Sequence, residues 1–127
     1  MISSTKTSTT NLTHVEQKLS IQCKNFADDS ISIRSLDWDR SRFDIEFGLR
    51  NGTTYNSFII KGNDIAVIDT SHSKFEKLWI DALVEQVDPK DIKYLIASHT
   101  EPDHSGLVSH LLELNSEIII VGSKIAL

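Results

Sequence analysis

The sequence predicts an α/β (α+β) domain in which strands come first and then alternate with helices. Between residues 19 and 60, apolar and polar residues alternate with the period of half-buried strands. Beyond residue 64, short apolar runs alternate with helical patterns. The chain has 127 residues, of which 39% are hydrophobic and 24% charged, so we expect one domain at most, with its own core.

Composition restricts the partners and the compartment. The net charge is -5, from 13 basic and 18 acidic residues, and no Lys/Arg block could neutralise a row of phosphates, so we expect no nucleic-acid partner. Cys23 is the single cysteine, which suits a reducing compartment, and we therefore expect a cytoplasmic protein. The longest apolar stretches, such as Ile118 to Val121, are far too short for a membrane span.

The chain begins with a predicted tail and a hairpin. Residues 1–18 are rich in Ser and Thr and are expected to be a disordered tail, to which His14 belongs. Residues 19–26 and 31–36 alternate around the turn Asp28-Asp29-Ser30. This pattern predicts two antiparallel strands.

A second hairpin and a buried strand are expected next. Residues 43–47 alternate before the turn dipeptide Asn51-Gly52, and residues 53–60 follow it, as in a hairpin. Residues 64–70 form a nearly continuous apolar run that ends in two polar residues, as in a strand buried on both faces. Its end, with Asp69, should lie at the rim of a sheet.

Two helices and two strands complete the prediction. Residues 74–86 have helical spacing up to Asp88-Pro89, and residues 92–97 form a buried strand. Residues 104–114 are a predicted second helix, and residues 117–121 a last strand. The side chains expected to face the core are Phe75, Leu78, Trp79, Ala82 and Leu83, then Leu107, Val108, Leu111 and Leu112.

The segment between the predicted strand 92–97 and the second helix concentrates potential metal ligands. A chain still extended after Ala97 would aim His99, Glu101 and Asp103 to one side, and Pro102 disfavours helical geometry at Glu101. His104 follows at the turn. Two imidazoles and two carboxylates suit divalent first-row metals. The alternative is a solvated loop in which Asp103 and His104 cap the helix.

The motif His99-x-Glu101-x-Asp103-His104 resembles the signature loop of the metallo-β-lactamase superfamily, with Glu101 where a second histidine usually stands. With this substitution, the motif resembles that of the flavodiiron proteins. Further stretches resemble the cyanobacterial diflavin flavoproteins of that family, namely residues 33–40, 43–49, 51–58 and 98–107. The resemblance extends over nearly all of residues 19–127.

This resemblance implies a fold and a site. The fold would be a metallo-β-lactamase-like αββα sandwich, and residues 19–127 would form the amino-terminal half of a di-iron domain, so the sandwich is expected to be incomplete here. His99 and Glu101 would bind one iron, and Asp103 the other, with His104 beside it or completing it. Asp69 would support the ligand loop by hydrogen bonding.

The resemblance also implies the cofactors and partners of a parent enzyme. That enzyme would reduce dioxygen or nitric oxide at a non-haem di-iron centre with electrons from NAD(P)H via FMN. The flavodoxin-like and flavin reductase domains are absent from these 127 residues, so we expect a fragment or a truncation. A homo- or hetero-oligomer with related subunits is expected.

Two other functions are retained. One is a dizinc hydrolase of glyoxalase II type, against which Glu101 argues; the other is a catalytically inactive fragment with a structural or dimerisation role. His72 is expected to be a surface histidine or a cap rather than a ligand, and His110 a solvated residue. Trp38 and Trp79 are expected to be packing residues, although the loop at residues 37–40 could line a subunit contact.

Overall fold

The computed structural model of the chain describes residues 18–43 and 47–125. The predicted tail apart from Lys18, including His14, lies outside the described residues, and so does the centre of the predicted strand 43–47. Within the two described ranges, no helix is long and apolar enough to cross a bilayer.

The described residues form a six-stranded mixed sheet and a separate two-stranded sheet of β3 and β4, and the helices lie in the second half of the chain. The strands are β1 Leu19–Ala27, β2 Ser30–Asp37, β3 Arg42–Phe43, β4 Phe47–Gly48, β5 Thr53–Lys61, β6 Ile65–Ile68, β7 Ile92–Ala97 and β8 Ile119–Gly122. The α-helices are α1 Glu76–Gln86, α2 Pro102–Ser105 and α3 Val108–Leu114, and 3₁₀ turns at Ser73–Phe75 and Pro89–Asp91 precede α1 and β7. The predicted α/β class is confirmed.

The strand order changes character along the sheet. The order is β1-β2-β5-β6-β7-β8, antiparallel from β1 to β6 and parallel from β6 to β8. Parallel neighbours need a crossover connection, which α1 supplies between β6 and β7 and α2 with α3 supplies between β7 and β8. The predicted first hairpin is confirmed, because β1 and β2 pair antiparallel around Asp28-Asp29.

The predicted second hairpin is wrong in its pairing. β5 pairs antiparallel with β2, beginning with Thr53 opposite Asp37, and not with residues 43–47. Those residues contribute β3 and β4, which pair with each other through Phe43 and Phe47. The turn at Gly52 is real, with a φ of 76°, but it directs the chain onto β2. β2 offers β5 a continuous ladder of eight residue pairs, which the shorter segment could not supply.

The core lies on one face of the sheet, beneath α1 and α3. Its fully buried apolar side chains are Ile33, Ile59, Val67, Phe75, Trp79, Leu83, Leu95, Leu107 and Leu111. The predicted inward faces of both helices are therefore confirmed for most positions. Leu78 is an exception at 38% exposed.

The two tryptophans differ from each other. Trp79 is fully buried, as predicted for a packing residue. Trp38 is 52% exposed, and its Nε1 donates a hydrogen bond to Ser20 Oγ at 3.1 Å. The packing prediction for Trp38 is therefore wrong, since the indole lies on the surface beside β1 instead of in the core.

The opposite face of the sheet is apolar but only partly covered. Ladder pairing places Ile119 beside Tyr94 and Val121 beside Ile96, and directly paired residues share a face. The apolar members of this face are Phe58, Ile60, Ala66, Ile68, Tyr94, Ile96, Ile119 and Val121. Ile119 and Val121 are exposed, so this face carries accessible apolar surface at the β8 edge.

Asn115 links the end of α3 to the start of β7. It is buried, and its Nδ2 donates to the carbonyl oxygens of Pro89 at 2.9 Å and Ile92 at 3.1 Å. Its Oδ1 accepts the Glu117 N–H at 2.9 Å. One amide therefore satisfies backbone groups on both sides of the crossover that leads into β8.

Candidate metal centre

The candidate site lies at the carboxyl ends of two neighbouring parallel strands. Asp69 and Thr70 follow β6, and residues 98–101 lead from β7 into α2. Adjacent parallel strands point the same way, so the residues after them meet at one edge of the sheet. A hydrogen bond of 2.9 Å from the Asp69 N–H to the Ile96 carbonyl oxygen holds the two strand ends together.

Asp69 organises this edge. It has a φ of 59°, the left-handed conformation that Asp tolerates better than most side chains. Its carboxylate is almost fully buried and accepts hydrogen bonds from the Ser98 N–H at 2.8 Å and from Ser98 Oγ. It also pairs with His104 Nδ1 at 2.9 Å. These bonds connect the end of β6 to the predicted ligand loop at two points.

The contact with Asp69 determines the chemistry available to His104. An ionised carboxylate only accepts hydrogen bonds, so neutral His104 bonded to it carries its proton on Nδ1. Nε2 then keeps a lone pair, and Asp103 Oδ2 lies 3.6 Å from it. A carboxylate that accepts from the far ring nitrogen is the usual way of orienting a metal-binding histidine.

The predicted extended run from His99 to Asp103 is only partly correct. Glu101 is extended, with φ -67° and ψ 152°, as the following proline requires. The chain becomes helical at Pro102, so Asp103 lies in α2 and does not continue an alternating strand. Proline at the first helical position is preorganised for a helix, which the alternation argument overlooked.

The predicted helix 104–114 is interrupted. α2 ends at Ser105 and α3 begins at Val108. The Leu107 N–H donates to Thr70 Oγ1 at 3.1 Å, although a continuous helix would direct it to the carbonyl oxygen of residue 103. Gly106 permits this close approach, since a Cβ there would lie 2.6 Å from the Ser71 carbonyl oxygen. A contact between distant segments therefore breaks the helix.

The four predicted ligands form two pairs. His99 Nδ1 lies 3.5 Å from Glu101 Oε1, and both side chains are more than 60% exposed. His104 and Asp103 form the second pair and are more buried. The rings of His99 and His104 are 5.0 Å apart between centroids. Among residues 18–43 and 47–125, no three His, Cys, Asp or Glu side chains form a group that could hold an ion.

The donor types nevertheless fit a first-row metal centre. Each pair combines an imidazole nitrogen with carboxylate oxygen, a mixture that iron and zinc both accept. The exposed pair lies on a loop, and the partly buried pair lies on a short helix that is hydrogen-bonded to Asp69. The two pairs are therefore neighbours on one connected segment, at the sheet edge where ligands bind in such folds.

His72 serves as a cap, which confirms the prediction preferred for it. It is the N-cap of the 3₁₀ turn Ser73–Phe75, and its Nδ1 accepts the Lys74 N–H at 3.2 Å. The ring stacks on Tyr55, with centroids 5.9 Å apart. Burial, followed by the positive charges of Lys74 and Arg40, lowers the pKa of His72. Its Nδ1 is committed to the turn.

The prediction that His110 is solvated is wrong. His110 is partly buried, and its Nε2 lies 3.2 Å from Glu76 Oε1 at the start of α1. Its Nδ1 is buried without a hydrogen-bond partner among the described atoms. The helix face that carries His110 turns toward α1, a packing partner that helical periodicity alone does not reveal.

Sequence reasoning missed the polar residues that hold the site together. Thr70 Oγ1 donates to the His104 carbonyl oxygen at 2.7 Å, and Ser57 Oγ donates to the Asp69 carbonyl oxygen at 2.8 Å. Both residues are completely buried, as is Ser71. The position of these residues next to buried strands could have indicated their role, because a buried hydroxyl without a hydrogen-bond partner is unfavourable.

Two features define a metallo-β-lactamase-like domain. They are the mixed sheet and the loop that is bonded to Asp69 at the carboxyl ends of the parallel strands. A family model described as ODP family beta lactamase matches residues 53–127, which is more than half of the chain. The chain belongs to this family.

Known proteins of this type resemble the chain over most of its length. Diflavin flavoprotein A 1 from Synechocystis sp. is 55% identical over 112 residues, which are 88% of this chain and 20% of that protein. A variant of the flavo di-iron protein of Thermotoga maritima has a TM-score of 0.81 at 30% identity, over 87% of this chain and 29% of that one. Rubredoxin oxygen:oxidoreductase of Desulfovibrio gigas has a TM-score of 0.76 at 26% identity, over 82% of this chain and 26% of that one.

These comparisons confirm the resemblance to flavodiiron and diflavin proteins. The matched part is the amino-terminal part of the relatives, and the chain spans one fifth, 20%, of the length of the Synechocystis protein. The activity of a full-length relative is therefore not attributed to the described residues alone.

Proposed function

We propose that this chain supplies ligands to a non-haem di-iron centre in a flavodiiron oxidoreductase that reduces dioxygen or nitric oxide. The hydrogen bond of 2.9 Å between Asp69 and His104 Nδ1 carries the proposal, because it turns Nε2 of His104 toward Asp103. Relatives named as a flavo di-iron protein and an oxygen:oxidoreductase support iron and oxygen in this role.

Each loop residue has a proposed role. His99 and Glu101 would hold one iron and Asp103 the other, with His104 beside it or completing it. Asp69 would orient His104 and the loop through its bonds to His104 and Ser98. Two ions need about three or four protein ligands each, so further ligands would come from outside this loop.

The proposed reaction is a reduction. A bound pair of irons would supply the redox-active metal for it. Glu101 is the residue of this chain that favours iron, since a carboxylate adds negative charge and a harder donor than imidazole. Contact with an ionised Asp69 would place the proton of a neutral His104 on Nδ1 and leave the lone pair on Nε2. The exposed pair His99 and Glu101 leaves this side of the loop open to a small molecule.

The remaining parts of the proposal concern the whole protein. Residues 19–127 would form part of the di-iron domain, and electrons would come from NAD(P)H through FMN bound elsewhere. The name of the Synechocystis relative, a diflavin flavoprotein, supports a flavin in that role. Assembly with related subunits and a cytoplasmic location, which suits the single Cys23, belong to the same proposal.

Metal preference tests the assignment of Glu101. Fe²⁺ and Zn²⁺ compete anaerobically for a protein that joins this chain to the rest of its proposed di-iron domain, for its Glu101→His variant and for the control Glu113→Gln, which alters a carboxylate of α3. Glu101→His should shift the preference toward zinc by roughly tenfold or more, while the control leaves it unchanged. Equal preferences in all three proteins would overturn the role of Glu101.

Turnover tests the reaction. In a protein that joins this chain to the rest of its proposed di-iron domain and to flavin domains, oxygen or nitric oxide consumption with NADH or NADPH should fall in Glu101→His and persist in Glu113→Gln. Zinc retention with hydrolysis of a thioester, and no consumption of either gas, would instead establish the glyoxalase II type of hydrolase.

A further inference from the structure

A second polar cluster lies at the far end of the loop that carries Asp69. Its members are Asp37, Arg40, Tyr55 and Lys74, here called the anchor network. Asp37 ends β2 and is buried, and its Oδ2 accepts hydrogen bonds from Tyr55 OH and from Lys74 Nζ, each at 2.7 Å. Arg40 Nη1 donates to Tyr55 OH at 3.0 Å. The network joins β2, β5 and the turn before α1.

The charges within the network compensate a buried carboxylate. Burial alone would raise the pKa of Asp37, but the hydrogen bonds from Lys74 and Tyr55 and the ammonium charge bring it below its ordinary value. Asp37 is therefore an anion at neutral pH, with Lys74 as its cation. Removing one partner of such a pair leaves the other charge without compensation, so the pair resists separation.

Residues 69–74 connect this pair to the ligand loop. Lys74 is held by Asp37 at one end. At the other end the Thr70 N–H and Oγ1 each donate to the His104 carbonyl oxygen at 2.7 Å, and Asp69 binds Ser98 and His104. Between them, Ser71 Oγ donates to Ser35 Oγ at 2.8 Å inside the core. The segment is thus fixed to the sheet and to the loop along its length.

We propose that Asp37 and Lys74 are positioning residues of the candidate metal centre: their ion pair fixes residues 69–74 and, through Asp69 and Thr70, the orientation of His104. An apolar contact would bury similar area without fixing a direction, whereas hydrogen bonds to a carboxylate are directional. The stacking of His72 on Tyr55 restrains the same segment from a second side. The metal part of this inference rests on the proposed function, but the positional part does not.

Amide hydrogen exchange tests the positional part. The Ser98 and Leu107 N–H groups donate to Asp69 and Thr70, so they report the loop, while the Ile59 amide in β5 reports the sheet. Lys74→Met should accelerate exchange at Ser98 and Leu107 by about tenfold or more, relative to Ile59. Lys74→Arg, which keeps the charge, should restore slow exchange.

A matched control and a spectroscopic signature complete the test. Lys77→Met breaks the exposed pair with Asp81 on α1 and should change exchange by less than about twofold. The ¹⁵N chemical shifts of the His104 ring should show the Nδ1–H tautomer in the unsubstituted protein. They should show a loss of this tautomer in Lys74→Met. Equal acceleration at Ser98, Leu107 and Ile59, with an unchanged tautomer, would overturn the positioning role.

Zinc alone serves as the probe that separates this inference from the proposed function. In a protein that joins this chain to the rest of its proposed di-iron domain, Lys74→Met should weaken Zn²⁺ binding by roughly tenfold, and should weaken it no further when Asp69→Asn is already present. A local change in exchange with unaltered zinc binding would support the anchoring of the loop and overturn the metal assignment. Additive losses from the two substitutions would overturn transmission through Asp69.

Discussion

We expect Gly106→Ala to destabilise the domain, although alanine is the better helix former. Gly106 has φ -59° and ψ -23°, a conformation open to every residue, so backbone strain contributes nothing. Space is the limiting factor. A Cβ at this position would lie 2.6 Å from the Ser71 carbonyl oxygen and 2.8 Å from the Ser73 nitrogen. Both atoms are backbone, which cannot rotate away as a flexible side chain could.

The magnitude follows from the contacts that must separate. Overpacking of this kind costs about 1–3 kcal/mol. Moving α2 away from residues 70–73 also stretches the hydrogen bonds of Thr70 with His104 and Leu107, each of which contributes about 1 kcal/mol. With partial relaxation, the expected loss in free energy of unfolding is roughly 2–4 kcal/mol. That is a large part of the total stability of an ordinary domain.

Urea unfolding at low protein concentration measures this loss. The fluorescence of buried Trp79 reports unfolding when exposed Trp38 is replaced by Phe. Gly62→Ala is the matched control, because a Cβ there meets only the Asp64 carbonyl oxygen at 3.6 Å. That control should be neutral or stabilising by up to about 1 kcal/mol. If Gly106→Ala unfolded at the same urea concentration as Gly62→Ala, the packing argument would be refuted.

Three further outcomes are expected. Asn115→Ala should lower the free energy of unfolding by about 2–4 kcal/mol, because it leaves buried backbone groups unpaired, and a urea-measured loss below about 0.5 kcal/mol would contradict this. Burial, opposed by the Arg40 hydrogen bond and assisted by Asp37, raises the pKa of Tyr55 from 10.0 to about 12. The contribution of protonated Tyr55 to the free energy of unfolding is therefore complete below pH 10 and lost as the pH rises through 12. Tyr55→Phe should remove this part of the alkaline loss of stability when the free energy of unfolding is measured against pH. Ile119→Lys on the exposed edge of the sheet should reduce self-association in sedimentation, and an unchanged association would show that this apolar face is not responsible.

Local patterns were enough to predict most elements of the fold and the members of the candidate site. Alternation predicted the first hairpin, and the apolar run at residues 92–97 predicted β7. Helical spacing identified the inward face of α1, because burial of one stripe is a property of consecutive residues. The motif with its Glu101 substitution identified the family, and the position of Asp69 after a buried strand placed it at the same edge as the loop.

Contacts between distant segments decided the rest. β5 pairs with β2 because that strand offers the longer ladder, whereas the sequence favours the nearer segment 43–47. The break between α2 and α3 exists because Thr70 competes for the Leu107 N–H. The sequence by itself predicted the candidate metal ligands, while the tertiary structure decided that Asp69 contacts His104 and that Lys74 pairs with Asp37. The physical reason is that hydrogen bonds and ion pairs between distant segments depend on how the chain folds back, which no local periodicity encodes.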